Sequence, residues 1–157
     1  MEGIQSEAIE RHLAMKSYIV DANVIFSGVV SGKEMYVRAF ATNTFFTPDF
    51  ALDEIRKYQE LILKKTKLPP AQLRSFTLQL FSKLIVVPNF LISNKSYLEA
   101  FRLCKDIDEN DTTYLALSIE FDMEMISKDE KLVAGLRAKG YQKIISLREF
   151  LSQAEEA

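Results

Sequence analysis

The sequence predicts an α/β protein, a three-layer α/β/α sandwich around a central, mostly parallel sheet. Short apolar runs of about four residues, which are typical of strands buried on both faces, alternate with longer segments of helical periodicity. Few hairpin turns separate these runs, so helical crossovers join consecutive strands. Because such crossovers are right-handed, the carboxyl ends of the strands would all lie at one edge of the sheet.

Each element follows from local sequence. Strands are predicted over 17–21, 44–46, 84–87, 123–127 and 143–146. Helices are predicted over about 34–41, 48–66, 70–82, 93–104, 111–121, 128–139 and 147–154. The second of these helices is expected to begin at Thr47-Pro48, a capping residue followed by a proline suited to the first turn. Residues 1–15 are predicted to form an N-terminal helical extension, and 16–157 the folded domain.

Composition limits the functions that the chain can have. The 157 residues are 48% hydrophobic and 27% charged, with a net charge of −2, as in an ordinary single-domain globular protein. One cysteine and one histidine, His12, exclude a zinc cluster and leave only a poorly placed candidate for a Ser-His-Asp triad. No apolar run is long enough to span a membrane, and the first residues do not resemble a signal peptide. We therefore expect a cytoplasmic protein with no membrane partner.

Five acidic residues are expected at the carboxyl edge of the sheet. Asp21 ends the first strand, and Asp129 directly follows the strand at 123–127. Asp111 begins a helix, with Asp108 three residues earlier. Glu54 is expected two turns into the helix after the second strand, from where it can reach back over the edge. Each acid alone has an ordinary explanation as a helix cap or a solvated residue, but their joint placement at one edge favours a common site.

A cluster of carboxylates without cysteine or histidine suits a hard divalent cation. Mg²⁺ and Mn²⁺ prefer oxygen ligands, and Asn23 and Ser127 lie beside the acids as neutral oxygen donors. One or two such ions can activate water and stabilise the charge on a phosphodiester during transfer, without a protein nucleophile. The pattern therefore predicts metal-dependent hydrolysis of phosphodiesters.

The same residues resemble the motifs of the PIN-domain family, and the resemblance covers about 16–150. The motifs, in chain order, are Ile19-Val20-Asp21-Ala22-Asn23-Val24, Leu52-Asp53-Glu54-Ile55, Asp108-x-x-Asp111, and Ser127-Lys128-Asp129-Glu130-Lys131-Leu132. The resemblance implies that Asp21, Glu54, Asp111 and Asp129 are catalytic metal ligands, with Asp108 as an accessory ligand. It also implies supporting roles for Asn23 and Ser127.

The resemblance further implies an endoribonuclease that uses Mg²⁺ or Mn²⁺, one or two ions, on single-stranded RNA. Many such proteins are toxins of toxin–antitoxin pairs, so the expected partners are RNA, an inhibitory antitoxin and further copies of the chain. Lys128 and Lys131, beside the acids, are the candidate contacts to nucleic acid. The alternative is a non-catalytic PIN module that binds RNA or protein. A phosphatase with Asp21 as nucleophile is disfavoured, because Asn23 stands where such enzymes need an acid.

Overall fold

The computed structural model describes residues 16–156. The predicted helical extension at 1–15, including His12, lies outside the described residues. Within 16–156, none of the helices has the length and apolar character that crossing a membrane requires.

The centre of the fold is a five-stranded parallel sheet with strand order β3-β2-β1-β4-β5. All four pairings between neighbouring strands are parallel, which confirms the predicted architecture. The chain steps outward from β1 to one edge and then returns to the other side of β1, so β1 and β4 are neighbours. The strands are β1 (Ser17–Val20), β2 (Thr44–Pro48), β3 (Leu84–Val87), β4 (Glu124–Ser127) and β5 (Ile144–Ser146).

Helices cover both faces of the sheet. Side chains of β1 alternate between two apolar clusters: Tyr18 and Val20 belong to one, and Ile19 to the other. The helices of the described part are α1 (Ala22–Ser31), α2 (Glu34–Ala41), α3 (Ala51–Lys57), α4 (Gln59–Lys65), α5 (Pro70–Phe81), α6 (Asn94–Cys104), α7 (Thr112–Phe121), α8 (Glu130–Ala138) and α9 (Leu147–Glu156). Helices α1, α2, α5 and α9 contribute to the first cluster, and α6, α7 and α8 to the second.

Helix α1 is an element that sequence reasoning missed. Its β-branched residues look like part of a strand, but Val24, Ile25, Gly28 and Val29 are buried at helical spacing. The helix ends at Gly32, whose backbone φ of +60° is the left-handed conformation that glycine adopts without strain. As a result, the chain turns from β1 directly into a helix that begins at the carboxyl edge of the sheet.

The prediction that a helix begins at Thr47-Pro48 is wrong. Both residues belong to β2, and the buried Thr47 hydroxyl donates a hydrogen bond of 2.8 Å to the Val20 carbonyl. The predicted helix over 48–66 is also interrupted at Tyr58, which separates α3 from α4. The later start places Glu54 in the first turn of α3 rather than two turns along it.

Strand β3 departs from its prediction as a buried strand. It pairs only with β2 and forms an edge of the sheet. Ile85 and Val86 retain 45% and 38% of their surface exposed, while Val87 is buried. An apolar run alone does not distinguish an edge strand from a central one.

Candidate metal site at the carboxyl edge of the sheet

A polar cavity of about 300 Å³ lies at the carboxyl ends of β1 and β4. All five acids singled out in the sequence line it. The lining residues are Asp21, Asn23, Glu54, Lys57, Tyr58, Asp108, Asn110, Asp111, Tyr114, Lys128 and Asp129. The structure thus brings together side chains from four separate segments of the chain, as expected where parallel strands end at a common edge.

Asp21 is the most deeply placed of the acids, with 4% of its surface exposed. It follows β1 and caps α1, because its Oδ1 accepts a 2.9 Å hydrogen bond from the Val24 N–H. Burial raises the pKa of Asp21 to about 6, and the charges of Glu54 and Asp129 add to the increase, against backbone hydrogen bonds that lower it. Because burial disfavours the charged form of this carboxyl group, a cation bound beside it would stabilise that form.

Asp108, Asp111 and Asp129 form the closest group of carboxylates. One oxygen from each lies within 4.8 Å of the other two, close enough for a single ion to contact all three. Asp108 and Asp129 are held by local backbone: Asp108 Oδ1 accepts the Asn110 N–H at 3.0 Å, and Asp129 Oδ1 accepts the Lys131 N–H at 3.0 Å. Their positions are therefore fixed by the turns in which they lie.

Asp111 shows how strongly the acids interact. Its pKa is raised to about 7, first by burial and then by the charges of Asp21, Asp108, Asp129 and Glu54. All four other acids of the cavity thus act on this one carboxyl group. Near neutral pH, a divalent ion would replace the proton that burial and this repulsion otherwise favour.

Tyr114 is a site residue that sequence reasoning missed. Its hydroxyl donates a 2.9 Å hydrogen bond to Glu54 Oε2 and accepts the Ala22 N–H at 3.3 Å. Burial, followed by the charge of Glu54, raises the pKa of Tyr114 well above its ordinary value, so the phenol stays a neutral donor. The available signal was its position, one helical turn after Asp111, but an aromatic in the apolar helix 111–121 was assigned to the core.

The neutral residues proposed to support the site occupy different positions. Asn23 is exposed and lines the cavity. Ser127 is buried, and its Oγ accepts the Asp129 N–H at 3.1 Å, so it acts on the backbone that carries Asp129. Lys128 lines the cavity, whereas Lys131 is exposed on α8 and is not among the lining residues.

The donor set fits a hard divalent cation. The cavity offers five carboxylates and the amide oxygens of Asn23 and Asn110, and no histidine or cysteine is among its lining residues. Oxygen donors of this kind are the ligands of Mg²⁺ and Mn²⁺. Burial, and after it the charges of the neighbouring acids, raise the pKa values of Asp21 and Asp111, and one or two such ions would favour the charged form of both carboxyl groups.

The fold and site together define a parallel α/β domain with an acidic centre at the carboxyl edge of its sheet. The sequence model of the PIN domain matches residues 19–149, most of the chain. The protein belongs to the PIN-domain family. PIN domains are nucleases that generally use divalent metal ions, and the acidic cavity is consistent with that chemistry.

Two solved structures share the fold. One is PAE2754 from Pyrobaculum aerophilum, with a TM-score of 0.59 and 12% sequence identity over 90% of this chain and 91% of that one. The other is VapBC2 from Rickettsia felis bound to a DNA fragment from its promoter, with a TM-score of 0.51 and 16% identity over 83% of this chain and 96% of that one. No curated protein sequence matches this chain.

Proposed function

We propose that the protein is a divalent-metal-dependent endoribonuclease that hydrolyses phosphodiester bonds of single-stranded RNA. The observation that carries the proposal is the convergence of five carboxylates on one cavity in a PIN domain. Asp21, Glu54, Asp108, Asp111 and Asp129 would hold one or two Mg²⁺ or Mn²⁺ ions. When bound, the metal supplies charge neutralisation at the phosphate and a more acidic water.

The chain's own residues would prepare the other parts of the reaction. Tyr114 fixes the Glu54 carboxylate by a hydrogen bond, so this acid faces the cavity in a defined orientation. A carboxylate that is not fully engaged by the ion can orient the attacking water and accept its proton. Lys128, at the rim of the cavity, supplies a positive charge for a phosphate that enters it.

The proposal is tested by cleavage of a labelled single-stranded RNA in the presence of Mn²⁺. We expect cleavage that EDTA abolishes and that Asp21→Asn or Asp111→Asn reduces at least 100-fold, as is typical when a group that stabilises transition-state charge is lost. Asp53→Asn is the matched control, because Asp53 is exposed in the same turn of α3 as Glu54 and does not line the cavity. Cleavage that persists in EDTA, or that Asp53→Asn impairs equally, would contradict the proposal.

A toxin role is the finer part of the proposal. The VapBC2 neighbour is a complex, and its likeness to this chain in fold supports a partner protein that inhibits the nuclease. We further propose that the protein acts in the cytoplasm as a homo-oligomer. Expression of the intact chain should arrest growth, while Asp111→Asn should not. Growth that both forms arrest equally would show toxicity unrelated to the acidic cavity.

A further inference from the structure

A groove lined by lysines lies next to the acidic cavity. Its volume is about 430 Å³, and α1 and the ends of α2 and α4 contribute to it. Four lysines line it, although the chain as a whole carries a net charge of −2. They are Lys33, Lys65, Lys67 and Lys128.

These lysines are available to bind an anion. All four are exposed, and none forms an ion pair with another residue of the described part of the chain. Two lysines elsewhere in that part of the chain, Lys139 and Lys143, are instead neutralised by pairing with Asp106 and Asp122. A concave surface lined by unneutralised charges of one sign concentrates the opposite charge.

Polar groups in the wall of the groove favour the same kind of ligand. Ser27 and Ser31 lie one helical turn apart on α1 and both line the groove. Their hydroxyl oxygens are buried and have no hydrogen-bond partner among the described residues. A hydroxyl group without a partner is a donor for a ligand rich in acceptor oxygens.

Two features place the groove beside the cavity. Lys128 lines both. In addition, Phe26 of the groove packs against Tyr58 of the cavity, with ring centroids 5.2 Å apart. Both rings are half-buried and lie where the two spaces adjoin. Aromatic surface combined with cations along a groove is the usual means of binding single-stranded nucleic acid.

We propose that this groove binds the phosphates of the RNA strand next to the phosphodiester held at the acidic cavity. Lys128 would contact the phosphate nearest the cavity, and Lys33, Lys65 and Lys67 those further along the strand. The strand would cross the Phe26–Tyr58 pair between the two. The inference rests on the proposed function, because it takes the acidic cavity to be the place where the strand is cut.

The test measures binding rather than cleavage. The full chain in EDTA is titrated with a fluorescently labelled single-stranded RNA of about twelve nucleotides at several salt concentrations. Each phosphate contact contributes about 0.7 to the slope of log affinity against log salt for a single strand. We expect the triple variant Lys33→Ala, Lys65→Ala, Lys67→Ala to bind at least 10-fold more weakly at low salt and to lower the slope by about 2.

Two matched variants make the result specific. Lys95→Ala, Lys105→Ala removes two exposed positive charges from α6 and the residue after it, on the other face of the sheet, and should leave affinity and slope unchanged. The variant Lys33→Arg, Lys65→Arg, Lys67→Arg keeps the three positive charges, so its affinity for RNA should be close to that of the wild type. Loss of binding in the Lys95, Lys105 variant equal to that in the groove variant would overturn the inference.

Three other outcomes would also overturn it. They are an unchanged affinity for RNA in the triple alanine variant, an affinity of the triple arginine variant as low as that of the alanine variant, or displacement of RNA by polyglutamate at equal charge concentration. Since no metal is present, these results do not depend on cleavage. If the protein cleaves RNA but binds it equally well without the groove lysines, only the proposed role of the groove is contradicted. A protein that binds through the groove but never cleaves would contradict only the proposed nuclease activity.

Discussion

The Tyr114 hydroxyl joins Glu54 to the first residue of α1: it donates to Glu54 Oε2 at 2.9 Å and accepts the Ala22 N–H at 3.3 Å. Glu54 and Ala22 belong to segments that leave different strands of the sheet. One buried phenol therefore sets the orientation of an acid from α3 relative to the backbone that follows Asp21. Tyr114 is a positioning residue in the proposed reaction.

Replacing Tyr114 by phenylalanine should weaken the proposed nuclease by lowering kcat more than it raises KM. The phenyl ring keeps the packing but loses a hydrogen bond worth about 1.5–3 kcal/mol to a charged group, so we expect a roughly 10- to 100-fold lower kcat. Steady-state cleavage of a labelled RNA measures both constants. The unpaired Ala22 N–H should also cost about 1–3 kcal/mol of unfolding free energy, measured by urea denaturation.

Tyr58→Phe is the matched control for this prediction. Tyr58 also lines the cavity, but its hydroxyl makes no hydrogen bond within the described part of the chain. If Tyr114 acts through Glu54, adding Tyr114→Phe to Glu54→Gln should reduce kcat little further. Fully additive losses in the double variant would argue against a positioning role.

The metal-free protein should become less stable as the pH rises from about 4 to 7. The pKa values of Asp21 and Asp111, about 6 and 7, are higher in the folded protein than the value of about 4 expected for an unfolded chain. The folded state therefore binds more protons than the unfolded state in this range, and the free energy of unfolding falls with pH. Calorimetry in EDTA should show a lower unfolding midpoint at pH 8 than at pH 5.

The acids with lowered pKa values should not mask this fall in stability between about pH 4 and 7. The exposed carboxylates of Asp106, Glu120 and Glu149 have lowered pKa values, so their contribution is lost only as the pH falls below about 4. Asp111→Asn should flatten the dependence between pH 5 and 8, and Asp53→Asn should leave it unchanged. A midpoint that rises with pH in the metal-free wild type would contradict the prediction.

Mn²⁺ or Mg²⁺ should stabilise the protein most at alkaline pH. An ion that binds only the folded state adds about 2.7 kcal/mol at one hundred times its dissociation constant, or roughly 5–10 °C in the unfolding midpoint of a domain of this size. At pH 5, protons compete for Asp21 and Asp111, so the increase should be smaller. Thermal scans with and without Mn²⁺ at both pH values measure the difference.

Asp111→Asn provides the control for metal binding, since it removes the carboxylate on which all four other acids act. It should abolish most of the stabilisation by Mn²⁺, while Asp53→Asn should retain it. An equal increase in the midpoint for both variants would show that Mn²⁺ stabilises the protein elsewhere.

Asp129→Asn should separate the structural role of this residue from its proposed metal-binding role. Its Oδ1 caps α8 by accepting the Lys131 and Leu132 N–H groups, and asparagine caps a helix about as well as aspartate. We expect the unfolding free energy of the metal-free protein to change by less than about 1 kcal/mol, while cleavage falls at least 10-fold.

The comparison for this prediction is Asp129→Ala, which loses the cap as well and should cost about 1 kcal/mol of stability in addition. Urea denaturation and RNA cleavage are measured on both variants. Unimpaired cleavage by Asp129→Asn would mean that this carboxylate serves the helix and not the metal.

The strand pattern was sufficient to predict the sheet and the edge at which the acids gather. Asp21 directly follows β1 and Asp129 lies two residues after the end of β4, and in a parallel sheet strand ends share one edge, so their meeting could be inferred without tertiary information. Glu54 lines the same cavity as the other acids although its helix begins later than predicted. The wrong helix start did not change this outcome, because both the predicted and the observed helix leave Glu54 near the end of β2.

Other features depend on contacts that the sequence does not reveal. Thr47 resembles a helix cap, but its hydroxyl bonds to Val20 of the neighbouring strand, and that pairing keeps the segment extended. Tyr114 resembles a core aromatic, and only the position of Glu54, sixty residues away in the chain, gives its hydroxyl a role. The lysine groove adds Lys33 and Lys128 to the short basic run Lys64-Lys65-Thr66-Lys67, and their meeting with it depends on the packing of α1, α2 and α4 beside the end of β4.

Asp21 and Asp129 each cap the start of a helix and also line the acidic cavity. This combination affects how fast the site can exchange an ion. The N–H groups that these carboxylates accept, and the dipole at the start of α1 and α8, offset part of the repulsion between the two carboxylates. If Asp21 and Asp129 are the metal ligands proposed above, their helix-capping hydrogen bonds would hold them in place without an ion, and binding the ion would require little rearrangement of the chain. We expect association of Mn²⁺ to be limited by its own loss of water and not by a folding step, so the nuclease would respond to changes in free metal without delay.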